Sequence, residues 1–264
     1  MKPRYQFLKV PFFALAFLLL TSLACSLPGA APVSPSSSPQ DAPATLPPAP
    51  IQEVSTEAPV ADCFNPYYPV AQGDTWEYEV SGSATDTFTR SILSASGSEF
   101  TDQDVFGSGT TRTGQWKCES GNLIALTPGG SASVDTAGQT FNFTITSNSG
   151  ITFPANLEVG NAWSQDIAYE GTQDAGGTQI TSQNQATTSC TATGRESVTV
   201  PAGTFDALKV ECNSRISISI SGGSPIVIEA PSVAWYAEGV GMVKTVSSGS
   251  GFDSTIVLKS YQIP

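Results

Sequence analysis

Beyond residue 60 the chain alternates apolar and polar positions with a period of two. Trp76, Tyr78 and Val80 alternate with Glu77 and Glu79, and Phe141, Phe143 and Ile145 with Asn142, Thr144 and Thr146. Ile216, Ile218 and Ile220 alternate with Ser217, Ser219 and Ser221 before Gly222-Gly223. This period sets one face of a strand toward a core and the other toward water. Pro128-Gly129-Gly130 and Gly176-Gly177 punctuate the runs as turns. No segment here holds a period of 3.6 with helix-forming composition. The pattern predicts on the order of twelve short strands. The fold class is all-β: a single antiparallel, strongly curved sheet, a sandwich or a partial barrel. Residues 61–264 contain no second linker and read as one domain.

The first 60 residues follow other rules. Lys2, Arg4 and Lys9 precede an apolar run from Val10 to Leu20, the anatomy of a signal segment. As a helix that run reaches about 16 Å, half of a hydrocarbon core of about 30 Å. Residues 1–24 therefore read as a signal peptide and Cys25 as a lipid attachment site. Ser22 and Leu23 depart from the usual lipobox, and Ser22-Leu23-Ala24 also fits ordinary signal cleavage, which would leave Cys25 as a spare thiol. Residues 25–60 carry nine prolines, no Lys, Arg or aromatic residue, and read as a disordered tether to residues 61–264.

Setting Cys25 aside leaves Cys63, Cys118, Cys190 and Cys212, an even set suited to disulfides in an exported chain. Three pairings are open; proximity favours Cys63–Cys118 and Cys190–Cys212. The formal charge is −12, and loss of the leader would make it three units more negative. Such a chain has no footprint for nucleic acid, and its contact with a membrane must come through the N-terminal anchor.

Three motifs stand out. "YYPVAQGDTWEY" (67–78) turns into an aromatic strand, and its G-x-x-W portion recurs at Gly160–Trp163, a hint of two related halves. "VTVPAGTFDALKVEC" (198–212) is a hairpin about Pro201-Ala202-Gly203, with Cys190 and Cys212 near its open end. "WYAEGVGMVKT" (235–245) bends between two strands. On these motifs residues 64–264 resemble the TapB-like family of exported bacterial domains of unknown function. The resemblance implies a curved antiparallel β domain at the cell envelope and brings no catalytic residues.

The chain has no histidine, which removes Ser-His-Asp and Cys-His systems and His-based metal sites. No cofactor motif, metal-ligand spacing or catalytic set is expected. Asp102 and Asp104 share one face of a strand and are expected to be solvated; calcium binding or glycoside hydrolysis are the chemical alternatives. Trp76, Trp116, Trp163 and Trp235, with Tyr67, Tyr68, Tyr78 and Tyr236, are expected mainly in the core, with a ligand cleft as the alternative. The expected function is an envelope lipoprotein whose non-catalytic β domain binds a lipid-like or polysaccharide ligand or an envelope protein. A surface spacer is the alternative, and a carboxylate-based glycosidase a further one.

Overall fold

A computed structural model describes residues 63–126, 133–136, 139–175, 178–249 and 252–263. The leader, Cys25, the Pro-rich segment and the breaks at 128–130 and 176–177 lie outside them. The described residues form thirteen strands: β1 (Thr75–Gly82), β2 (Asp86–Ser96), β3 (Glu99–Phe106), β4 (Thr111–Glu119), β5 (Asn122–Ala125), β6 (Ser133–Thr136), β7 (Gln139–Gly150), β8 (Ala162–Ala175), β9 (Thr178–Val200), β10 (Gly203–Ile220), β11 (Ile226–Ala237), β12 (Gly241–Gly249) and β13 (Phe252–Gln262). All pairings are antiparallel, in the order β3-β2-β1-β13-β12-β11-β10-β9-β8-β7-β6-β4-β5.

The sheet closes on itself, because β4 also pairs with β3 over Thr111–Lys117. On its other edge β4 meets β6 through Thr111–Thr113 and β5 through Trp116–Glu119, so these short strands share one edge end to end. Twelve strands make the ring and β5 lies beside it. The fold is thus a closed barrel, more specific than the sandwich or partial barrel expected. Alternation alone specifies faces, not which strands meet.

The two G-x-x-W segments are the same turn. Gly73 and Gly160 have φ of +97° and +94°, a region open to glycine without strain. The Ala71 N–H donates to Asp74 Oδ2 (2.8 Å) and the Glu158 N–H to Asn161 Oδ1 (2.7 Å). Gly73 N–H donates to Ile92 O and Gly160 N–H to Ala192 O; Ile92 N–H and Ala192 N–H return to Asp74 O and Asn161 O. Each turn thereby starts a strand (β1 or β8) already docked on the next (β2 or β9).

Antiparallel alternation gives the barrel two different ends. At one, residues 63–70 cross the opening. Cys63 is bonded to Cys118 on β4, and Asn65 Nδ2 donates to Gly121 O (2.9 Å) and Pro154 O (3.0 Å). The Tyr68 ring lies 5.6 Å from Trp116 and 6.0 Å from both Phe100 and Phe153. Trp76 Nε1 donates to Val240 O (2.7 Å), and Tyr78 Oη to Met242 O (3.0 Å), fixing β1 against β12 and the turn before it. This end is filled.

Toward the other end the inner surface of β8, β9 and β10 can be read in rows from the strand register. Trp163, Cys190 and Cys212 form the first row, and Gln165, Thr188 and Ser214 the next. Ile167, Ala186 and Ile216 follow, then Tyr169, Asn184 and Ile218, then Gly171, Ser182 and Ile220. Cys190 and Cys212 are bonded across the hairpin with Cα atoms 4.1 Å apart. The hairpin continues past them to Ile220 opposite Ser182, so the pair sits well inside it, not near its open end. The Gln165 row is polar: Gln165 Nε2 donates to Ala125 O (3.1 Å) and Asn148 Oδ1 (3.0 Å), and Thr188 Oγ1 lies 2.9 Å from Ser214 Oγ. It divides the large core from a smaller cluster of Ile167, Tyr169 and Ala186.

The Cys63–Cys118 bond closes 55 residues and the Cys190–Cys212 bond 22. By chain entropy their removal costs about 4 and about 3 kcal/mol respectively. Urea denaturation of the two double Cys→Ala variants is expected to rank them in that order. The reverse order would show that residues 63–70 hold their place without the bond.

Candidate functional site

Past the polar row the barrel is incompletely filled. A cavity of about 60 Å³ opens there, walled by Phe141 and Phe143 of β7, Ile180 of β9, Ile218 and Ile220 of β10 and Ile226 of β11. Small residues on the inner rows create the space. A Cβ at position 171 would fall 2.6 Å from Ser182 Oγ and 3.4 Å from Phe143 Cε1, so glycine is what keeps this wall back. No residue lining the cavity carries a charge.

Two polar groups mark its inner side. Asn184 is 5 % exposed and its Nδ2 donates to Ser182 Oγ (2.9 Å) and Tyr169 O (3.3 Å), holding the floor in shape. Tyr169 is 1 % exposed, and its hydroxyl has no hydrogen-bond partner among the described residues. Burial pushes its pKa up to about 12, so at neutral pH it keeps its proton and remains a donor. An unpaired buried hydroxyl costs about 1–3 kcal/mol.

A second polar group lies deeper, in the filled half. Asp102 and Asp104 point into the barrel and are 6 % and 2 % exposed, which corrects the expectation of a solvated face. The outward residue is Val105, at 46 % exposure. The alternation was legible, but it leaves open which face goes in, and here the polar face does because two arginines and two aromatic donors meet it. Arg90 binds Asp104 with both ends of its fork, Nε–Oδ1 at 2.8 Å and Nη2–Oδ2 at 2.9 Å, and Arg112 Nη2 donates to Oδ2 as well. Asp102 accepts from Trp116 Nε1 (3.1 Å) and from Tyr68 Oη (3.2 Å).

The two carboxyls titrate in opposite directions. Burial pushes Asp104 up, but the two guanidiniums more than offset it and hold the group at about 2. Asp102 is raised, chiefly by burial, with Arg90 only partly opposing it. Both carboxylates are occupied by protein donors and neither lines the cavity. Among the described residues no group of three or more His, Cys, Asp and Glu could hold a metal ion.

The structure takes the remaining candidates apart. Trp76, Trp116, Tyr67 and Tyr78 are buried in the large core. Trp163 is half-buried, with its Nε1 on Thr152 O, and Tyr68 and Tyr236 pack against the same core. Trp235 sits under Lys244 Nζ, 4.9 Å from the ring centroid, and donates to Glu196. None of these aromatics lines the cavity. The isoleucine and phenylalanine runs of β7 and β10, read from the sequence only as core faces, supply much of its wall. Tyr169, Gly171, Ser182 and Asn184 were missed. Their signal was a set of small and polar residues at inward positions, which is visible only once the register is known.

Residues 110–253, slightly more than half of the chain, match the DUF3108-like family model. The chain belongs to the DUF3108-like family. The matched stretch includes β4 to β12 and therefore every residue lining the cavity. The comparison with curated proteins finds no match. Two solved structures are similar at low identity. One is a candidate exported protein with a YmcC-like fold from Bacteroides fragilis NCTC 9343, at 15 % identity, 76 % of this chain, 100 % of that chain and a TM-score of 0.45. The other is a candidate lipoprotein from Parabacteroides distasonis ATCC 8503, at 19 % identity, 75 % of this chain, 99 % of that chain and a TM-score of 0.46.

The opposite titrations of the two aspartates predict unequal mutational effects. Asp104→Asn leaves two partly buried guanidiniums short of a counter-ion and is expected to cost about 3 kcal/mol. Asp102→Asn keeps an acceptor for Trp116 or Tyr68 while removing a buried charge, so its stability at pH 7 should change by less than about 1 kcal/mol. The depressed pKa of Asp104 contributes about 2 kcal/mol that is present above its ordinary value of 3.8 and lost as pH falls through about 2. The raised pKa of Asp102 acts the other way, favouring the fold at low pH and fading as pH rises. Thermal melts of both variants from pH 2 to 7 check this; equal losses at pH 7 would refute the assignment.

Proposed function

We propose that this chain is an envelope-tethered, non-catalytic binding protein whose barrel takes a lipid-like envelope component in its mouth cavity. The observation that carries the reading is the cavity itself: an uncharged, largely apolar hollow set apart from the large core. Cavities of this chemistry bind hydrocarbon, with a few polar groups fixing its orientation. A polysaccharide site would instead need accessible Trp or Tyr faces; Tyr169, which lines the cavity, is buried, and Trp76, Trp116, Trp163 and Trp235 lie away from it.

The location belongs to the same proposal. The leader and Cys25 support export and lipid attachment, with the membrane met through that anchor and the Pro-rich segment acting as spacer. The TapB-like resemblance of the 67–78, 198–212 and 235–245 motifs fits the same compartment. The absence of histidine and the engagement of both Asp102 and Asp104 by protein donors support a role without bond-making chemistry. A glycosidase would need a carboxyl pair facing a cleft.

Native mass spectrometry of the full mature protein, released from envelope membranes, tests the binding role. A discrete adduct that denaturation removes is expected for the wild type. Ile220→Trp, which would fill the cavity from its rim, should abolish it while leaving the melting temperature within a few degrees. A bare wild-type mass, or an adduct that survives in Ile220→Trp, would refute binding in this cavity.

A further inference from the structure

The cavity's polar groups specify its ligand more narrowly, on the basis of the carrier reading above. Its walls are Phe and Ile side chains, its rim carries Thr172, Thr181 and Gln173, and every lining residue is uncharged. The charged residues next to the lining in sequence, Asp135, Glu170 and Asp174, are exposed, whereas Arg112 pairs directly with the cavity residue Val134 across β4 and β6. Its guanidinium is committed to Asp104 on the opposite side, toward β3. A carboxylate, phosphate or ammonium entering the cavity would be desolvated with no counter-ion to meet it.

One group inside does call for a partner. Tyr169 lines the cavity, and its hydroxyl is shielded from solvent and has no hydrogen-bond partner among the described residues. Asn184, its neighbour across β8 and β9, spends its Nδ2 on Ser182 and on the Tyr169 carbonyl. The hydroxyl is therefore the unspent donor of a lining residue, open to a ligand oxygen that reaches it. The volume, about 60 Å³ against the ~10–15 Å³ that one water needs, suits a short run of hydrocarbon.

We propose that the mouth cavity selects an uncharged hydrocarbon bearing one hydrogen-bonding oxygen, an alcohol or ester, seated with that oxygen on the Tyr169 hydroxyl and its chain along the isoleucine and phenylalanine walls. Ionised fatty acids are excluded by the same neutral lining that admits the alcohol. Tyr169 sets this specificity by donating to the ligand oxygen, and Gly171 keeps the space in which the two meet.

Isothermal titration of the full mature protein held in amphipol, with protein-free amphipol as blank, tests this using octan-1-ol, methyl octanoate, octane and sodium octanoate at pH 8. Octan-1-ol and methyl octanoate are expected to bind, and octanoate at least about tenfold more weakly for want of a counter-ion. Tyr169→Phe should weaken octan-1-ol about fivefold, the worth of one neutral hydrogen bond, and leave octane unchanged. Equal binding of octanoate and octan-1-ol by the unmodified protein would overturn the specificity while leaving the carrier reading intact. So would a Tyr169→Phe variant that loses octane and octan-1-ol alike. Failure of all four ligands to bind the wild type would overturn the carrier reading and this inference with it.

Discussion

A closed ring of twelve strands encloses more space than the inward side chains of ordinary strands can fill. An eight-stranded barrel is just filled by its own residues, and the interior widens with strand number. Closure removes the exposed edges, apart from the short side strand β5, but creates this volume to be managed. Much of the remaining structure answers that constraint. The filled half uses Trp76, Tyr78, Phe88, Phe100 and Trp116, and residues 63–70 then cross the end with Tyr67 and Tyr68. The other half has Gly171, Ser182 and Ala186 on its inner rows and stays partly hollow.

The buried ion cluster follows from the same width. A narrow barrel would have no room for two guanidiniums, two carboxyls and an indole between its walls. Here Arg90 and Arg112 converge on one carboxylate, while Asp102 is satisfied by neutral donors alone. The arrangement fills volume with groups that depend most on Asp104, whose removal leaves both arginines without their shared partner.

Much of the fold was legible in the sequence. The alternations at 76–80, 141–145 and 216–220 read as strands and are strands, and Pro201-Ala202-Gly203 reads as the hairpin turn between β9 and β10. The repeated G-x-x-W entry proved to be a repeated turn with matching hydrogen bonds. Closure was not legible, since it rests on β1 meeting β13, with Thr75 opposite Gln262, and on β5 and β6 dividing one edge of β4, and no local pattern encodes that. The cavity was not legible for a related reason. Gly171, Ser182 and Tyr169 matter only as neighbours of Phe143, Ile220 and Asn184 across three strand pairings. Asp102 and Asp104 misled because carboxylates on an alternating face usually turn outward, and only distant Arg90, Arg112, Trp116 and Tyr68 reverse that.

The position of Cys63 bears on how the barrel would respond to mechanical load. It is the first described residue, and its sulfur is joined to Cys118 on β4. Tension applied through the preceding chain passes from Cys63 directly into the wall through a covalent link. The segment carrying Asn65, Tyr67 and Tyr68 lies beyond that junction and is shielded from the pull. Shear that could otherwise peel an end-cap from its barrel is delivered instead to β4, which is paired to β3 on one edge and to β5 and β6 on the other. A pull on the chain before Cys63 would thus load the barrel wall and leave the crossing segment in place.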